Sequence, residues 1–99
     1  MPSATGKRLE WTRRARNDLD NIFAYYAEVA PAAIAEQSIA ALRAQAENIR
    51  RNPELYRRGK RGTRERVMLR FPYTVVYRVH GDSIEILRVL HQARAYFNP

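Results

Sequence analysis

The chain has 99 residues, 45% of them apolar, which suits one domain with a single core and excludes both a second domain and a disordered chain. It has no cysteine and only two histidines, His80 and His91, which excludes a disulfide framework, a thiolate metal site and a cysteine nucleophile. Eighteen Lys and Arg against ten Asp and Glu leave a net charge of +8, and no apolar run approaches the roughly 18 to 20 residues of a membrane span.

Residues 1–6 read as a loose tail without the apolar core of a secretory signal, so a soluble, cytoplasmic protein is expected. Residues 7–11 are a short strand candidate ending in Trp11. Thr12 then stands where a helix N-cap belongs. Ala15, Leu19, Ile22, Phe23 and Tyr26 recur at helical spacing, which predicts an amphipathic helix over 13–29 with those five on its buried face. Asp18, Asp20 and Glu28 are expected on other faces. Pro31 closes this helix and opens a second over about 32–51, whose stripe is Ala35, Ile39, Leu42, Ala46 and Ile49. The short connection implies an antiparallel helical hairpin.

Asn52-Pro53 ends the second helix, and residues 53–63 form a basic loop with Gly59 and Gly62. The positive charge concentrates here: residues 50–70 hold nine basic and two acidic side chains, whereas residues 17–49 hold one basic and five acidic. Such a window attracts a polyanion or an acidic partner, and arginine's planar fork suits carboxylate and phosphate alike. Beyond the loop the period changes to two. Val67, Leu69 and Phe71 alternate with Arg66, Met68 and Arg70, predicting a strand at about 64–70 that Pro72 breaks. Tyr73–His80 is a strand rich in β-branched and aromatic residues, and Gly81-Asp82 signals a tight hairpin. Ile84–Leu90, apolar on both faces, reads as a strand covered on both sides, with a short tail from His91 to Pro99. The order strand, helix, helix, strand, strand, strand describes one α+β domain over residues 1–99, a helical hairpin packed on an antiparallel sheet.

Enzyme signatures are scarce. Gly59 and Gly62 precede a strand rather than a helix, so they form no phosphate loop, and no set of residues has metal-ligand spacing. The polar residues of the last three strands and the tail, Arg64, Glu65, Arg66, Tyr73, Tyr77, Arg78, His91 and Arg94, are types that an RNA-cleaving site uses. Each also has a plainer reading. Arginines on a strand face are ordinarily solvated or paired, and adjacent Arg64 and Glu65 point to opposite faces. Tyr73 and Tyr77 share a face and suit core packing, and His80 falls at a hairpin turn. His91, ending an apolar strand, is balanced between a structural hydrogen bond and a function. Trp11 and Tyr26 read as core, whereas Tyr25 departs from the stripe and suits a partner contact.

Three runs carry a resemblance: Gly62-Thr63-Arg64-Glu65-Arg66-Val67; Pro72-Tyr73-Thr74-Val75-Val76-Tyr77-Arg78-Val79; and Ile84-Glu85-Ile86-Leu87-Arg88-Val89-Leu90-His91 with Ala93-Arg94. With Trp11, Ala15, Asp18-Leu19, Ile22 and Tyr26 before them, they resemble the ParE toxins of the RelE/ParE superfamily over about residues 8–96. The resemblance implies the toxin of a type II toxin–antitoxin module, of the kind linked to plasmid stabilization. It implies inhibition of DNA gyrase, a cognate ParD-like antitoxin, a toxin–antitoxin hetero-oligomer, and no cofactor, metal or membrane. RelE toxins instead cut mRNA on the ribosome. Thr74 stands where they typically carry an arginine, and Glu65 and Val67 align approximately with their lysine pair. A carboxylate and an aliphatic side chain cannot hold a scissile phosphate, so no residue is expected to be catalytic. A ribosome-dependent mRNA endonuclease is the alternative, and a non-toxic basic nucleic-acid-binding domain is a third reading. Arg64, Arg78, His91, Arg94 and Tyr96 are the candidate target contacts, expected on one surface. Tyr25, Arg57, Arg58 and Arg61 are the candidate antitoxin contacts.

Overall fold

A threonine starts the first helix in the computed structural model, which describes residues 7–95 and side chains as far as Ala93. Thr12 Oγ1 accepts from the Ala15 amide at 3.1 Å, capping α1 (Arg13–Val29), and donates to the Leu87 carbonyl at 3.0 Å, tying the cap to the sheet. Ala15, Leu19 and Ile22 are buried as the periodicity requires, but Phe23 sits at the edge of the stripe and is 42% exposed. Asp18 corrects the reading of that helix. It lies three residues after Ala15 and four before Ile22, inside the stripe, and its carboxylate turns onto the sheet rather than to solvent.

Pro31 supplies the N-cap position of α2 (Ala32–Arg51), which buries Ala35, Ser38, Leu42, Ala46 and Ile49. Ser38 takes the central place expected of Ile39. Its hydroxyl returns to the Ala35 carbonyl at 2.7 Å, so a polar side chain is fully buried without an unmet bond. The two helices pack on one face of a five-stranded sheet of order β1-β5-β4-β3-β2. The strands are β1 (Arg8–Trp11), β2 (Arg57–Arg58), β3 (Arg64–Val67), β4 (Tyr73–His80) and β5 (Ser83–His91); a short helix, α3 (Gln92–Ala95), follows.

The α+β architecture and its helical hairpin are those expected from the sequence, with three differences. The sheet is mixed rather than wholly antiparallel, because β1 joins β5 in parallel, Leu9 opposite Ile84 and Trp11 opposite Ile86. That pairing joins segments some 75 residues apart and leaves no local pattern. A two-residue strand, β2, lies inside the expected basic loop. And β3 stops at Val67 rather than running to residue 70. The chain reverses through 68–72, where the Met68 amide reaches the Tyr73 carbonyl at 3.0 Å. The reversal buries Met68 and Phe71 and leaves Leu69 92% exposed, so the two-residue alternation fails there.

The core joins the helix stripes to Tyr73, Val75, Tyr77, Ile84, Ile86 and Val89 on the strands. Each large aliphatic buried there contributes about 2 kcal/mol. Among the described residues no helix is long and apolar enough to cross a membrane. The expected tail at residues 1–6 and the candidate Tyr96 lie outside the described residues.

Candidate functional site

Strand register decides which candidates meet. Along β4, Tyr77 stands opposite Arg64 of β3 and Tyr73 stands opposite His91 of β5. Four residues of strand separate those positions, about 13 Å. Arg64 and His91 therefore occupy different ends of the sheet rather than one surface. The candidates fall into two groups: Tyr25 with His91 at one end, and Arg57, Arg58, Arg61, Arg64 and Arg78 at the other.

At the first end, a groove of about 520 Å³ opens between the C-terminal half of α1 and the ends of β4 and β5. Tyr25, Val29, Tyr73 and His91 are among its walls. Aromatic edges hold it together: Tyr26 meets Tyr25 at 5.1 Å, Phe71 at 5.7 Å and Tyr73 at 6.5 Å, and Tyr73 meets the His91 ring at 5.7 Å, all T-shaped. Burial, then its bond to Tyr26, holds the Tyr73 phenol well above the usual tyrosine range, so it stays neutral. His91 Nδ1 accepts from the Ala93 amide at 3.2 Å, while the residue stays exposed. Tyr25 and Val29 are 55% and 60% exposed, an apolar surface on the rim of the groove.

The other end is built from arginine. Arg64 Nη1 donates to the carbonyls of Tyr56 at 2.9 Å and Glu54 at 3.3 Å, so it fastens the loop after α2 to the sheet. The Tyr77 hydroxyl donates to the Pro53 carbonyl of the same loop, and burial, opposed by the Arg64 charge, pushes its phenol up to about 12. Arg66 Nε donates to Gln45 of α2 at 2.7 Å, with its guanidinium over the Tyr56 ring at 4.8 Å. Arg57 pairs with Glu65 at 2.9 Å, and Arg78 Nη2 donates to the Arg61 carbonyl at 3.3 Å. Arg58 and Arg61 are exposed. Arg94 lies in α3, immediately after Ala93, whose amide donates to His91.

Sequence reasoning missed the strongest polar contact. Asp18 takes both Nε and Nη2 of Arg88, at 2.8 and 3.1 Å, and also the Val89 amide at 2.8 Å. The hydrogen bond raises the Arg88 pKa further still. The available signal was the position of Asp18 within an apolar stripe, where an acid requires a partner.

The family described as ParE toxin of type II toxin-antitoxin system, parDE, matches residues 9–96. This chain belongs to that family. The ParE-family chain is 37% identical over 86 residues to Putative toxin Y4kP of Sinorhizobium fredii (strain NBRC 101917 / NGR234), covering 86% of this chain and 88% of that one. Among solved structures it is similar to the chromosomal ParDE system from P. aeruginosa, with 28% identity and a TM-score of 0.80 over 86% of this chain and 95% of that one. The toxin–antitoxin complex RelBE2 from Mycobacterium tuberculosis shares the fold, at 24% identity and a TM-score of 0.65 over 92% and 97% of the two chains. The expectations of family and fold are both met.

Proposed function

We propose that this ParE-family toxin inhibits DNA gyrase by binding it, and that a cognate ParD-like antitoxin neutralises it by covering the Tyr25 groove. The observation that carries the non-nucleolytic reading is the occupation of the polar side chains on β3 and β4. Arg64 is committed to two carbonyls, Glu65 to Arg57, Arg66 to Gln45, and Tyr77 to Pro53. Thr74 is 1% exposed. A phosphodiester site needs a base, an acid and a cation converging on one free point, and these groups converge on the protein's own atoms.

The grouping of candidates revises their roles within the proposal. Tyr25, Val29 and His91 offer an apolar seat for an antitoxin segment, with the aromatic Tyr25 as its anchor. Arg58, Arg61 and Arg78 offer the charged end to the target. Arg64 acts there as a positioning residue for the loop rather than as a direct contact.

Two measurements test the reading. Purified protein inhibits gyrase supercoiling or traps cleaved DNA with the enzyme, while ribosome-bound mRNA stays intact. Cleavage of that mRNA at a defined codon position moves the assignment to the endonuclease branch. Tyr25→Asp abolishes co-purification with the antitoxin encoded beside it and preserves gyrase inhibition; retained co-purification removes the groove from the antitoxin interface.

A further inference from the structure

The hairpin made by β2, β3 and residues 59–63 gathers several local conflicts within a few residues. Arg58 stands directly opposite Arg64 in the ladder, and like charges facing across a sheet destabilise it. Arg61 holds φ at 58°, in the left-handed region that favours glycine and costs another residue about 1 kcal/mol. Glu65, the acid nearest the tip, is engaged by Arg57 at 2.9 Å. Among the described ion pairs none involves Arg58, Lys60 or Arg61. Conflicts of this kind gathered in one short element mark a surface matched to something outside the fold.

The tip is nonetheless well held. The Gly59 amide donates to the Thr63 carbonyl at 2.8 Å, and the Thr63 amide and hydroxyl both donate to the Lys60 carbonyl, at 3.1 and 2.7 Å. Arg78 clasps the carbonyl of Arg61. A Cβ at Gly59 would meet Thr63 Oγ1 at 2.6 Å and Glu65 Oε2 at 2.9 Å, so the hairpin closes over that glycine. The three cations thus project from a backbone that needs little further ordering on binding.

Composition distinguishes the possible anions. Residues 57–63 read Arg-Arg-Gly-Lys-Arg-Gly-Thr, without one apolar or aromatic side chain. Protein interfaces draw their affinity from buried aromatic and aliphatic anchors, so this tip, which has none, adds only charge to a protein contact anchored elsewhere. Nucleic-acid interfaces are polar and strongly positive. Single-strand binding adds aromatic platforms, and the neighbouring Tyr56 ring is already covered by Arg66. We infer that the β2–β3 hairpin binds the phosphodiester backbone of a nucleic-acid duplex through Arg58, Lys60 and Arg61. The contact is a phosphate contact and reads no sequence. It goes beyond the gyrase reading and does not depend on it.

Fluorescence anisotropy with a labelled 20-base-pair DNA duplex and an RNA duplex of the same sequence tests this directly. Three phosphate contacts give a log–log salt slope of about −2.7, an affinity loss of about 40-fold between 50 and 200 mM salt. The variant R58A/K60A/R61G abolishes binding at 50 mM salt with no fall in its melting temperature. The control R13A/R14A/R43A removes the same charge from exposed sites elsewhere and keeps the affinity within about threefold. A preference for one duplex identifies the source of the phosphates and supports the assignment. Equal losses in the two variants, or no binding by the unaltered protein at 50 mM, overturn it. So does a hairpin variant that keeps its affinity for both duplexes and loses the antitoxin instead. A gyrase supercoiling assay run beside these measurements separates failure here from failure of the gyrase proposal.

Discussion

Along the body of the sheet, Arg64, Arg66 and Arg88 reach partners that the protein itself supplies: loop carbonyls, a glutamine of α2 and a carboxylate of α1. At the β2–β3 tip, Arg58 and Arg61 stand exposed, one facing another arginine and the other in a glycine-like conformation. The residue type is the same and its relation to the fold is reversed. Arginine in the first region contributes to stability, and arginine at the second lowers it. Net charge cannot tell these apart; hydrogen-bond partners can.

The contrast breaks most visibly at Asp18. Asp18→Ala strands a guanidinium that is 25% exposed and leaves the Val89 amide without its acceptor, at a cost of about 3 kcal/mol. Urea unfolding reads this as a fall in midpoint with an unchanged slope. A loss below about 1 kcal/mol would show that water replaces the carboxylate. Arg64→Ala comes next. Two carbonyls lose their donor and the loop after α2 loosens, costing about 2 kcal/mol. Amide exchange speeds up over residues 54–57 before the rest of the chain, whereas a purely target-binding arginine would leave exchange unaltered.

Tyr77→Phe has a smaller effect at neutral pH, about 1 kcal/mol for the bond to Pro53. It also weakens the pH dependence. Because burial raises the Tyr77 phenol from its ordinary 10.0 to about 12, its contribution is complete below about pH 10 and is lost as pH climbs through about 12. Tyr73, raised by the same cause, extends the loss to still higher pH. Chemical melts between pH 9 and 12 show a shallower alkaline decline in the phenylalanine variant. The smallest effect has the opposite sign. Arg61→Gly relieves the positive φ and stabilises by up to about 1 kcal/mol, seen as a modest rise in melting temperature.

The same contrast explains what could be read from the chain alone. Thr12, Pro31, the Gly81-Asp82 turn and, apart from Phe23 and Ile39, the α1 and α2 stripes are local signals that stand where the spacing places them. Leu69 was misplaced because alternation describes a strand only while the strand lasts, and the bend at 68–72 ends it. Asp18 was misread because its partner lies 70 residues away. His91 and Arg64 do not share the expected surface because antiparallel register sets them four residues apart along β4, opposite Tyr73 and Tyr77. The basic window was visible at once. Which of its arginines the fold consumes depends on carbonyls and side chains that only the folded chain brings near.

The position of β5 has a consequence for how the molecule comes into being. Among the described residues the last strand in the chain, β5, is the second strand of the sheet, inserted between β1 and β4. Until residues 83–91 are available, β1 has no neighbour and Asp18 has neither Arg88 nor the Val89 amide. The helical hairpin can form early from local contacts, but the sheet closes only through pairings that span most of the chain. A nascent chain stalled or cut before β5 therefore lacks the ladder that orders both ends of the protein. Synthesis itself withholds the closed sheet until residue 91 has been made.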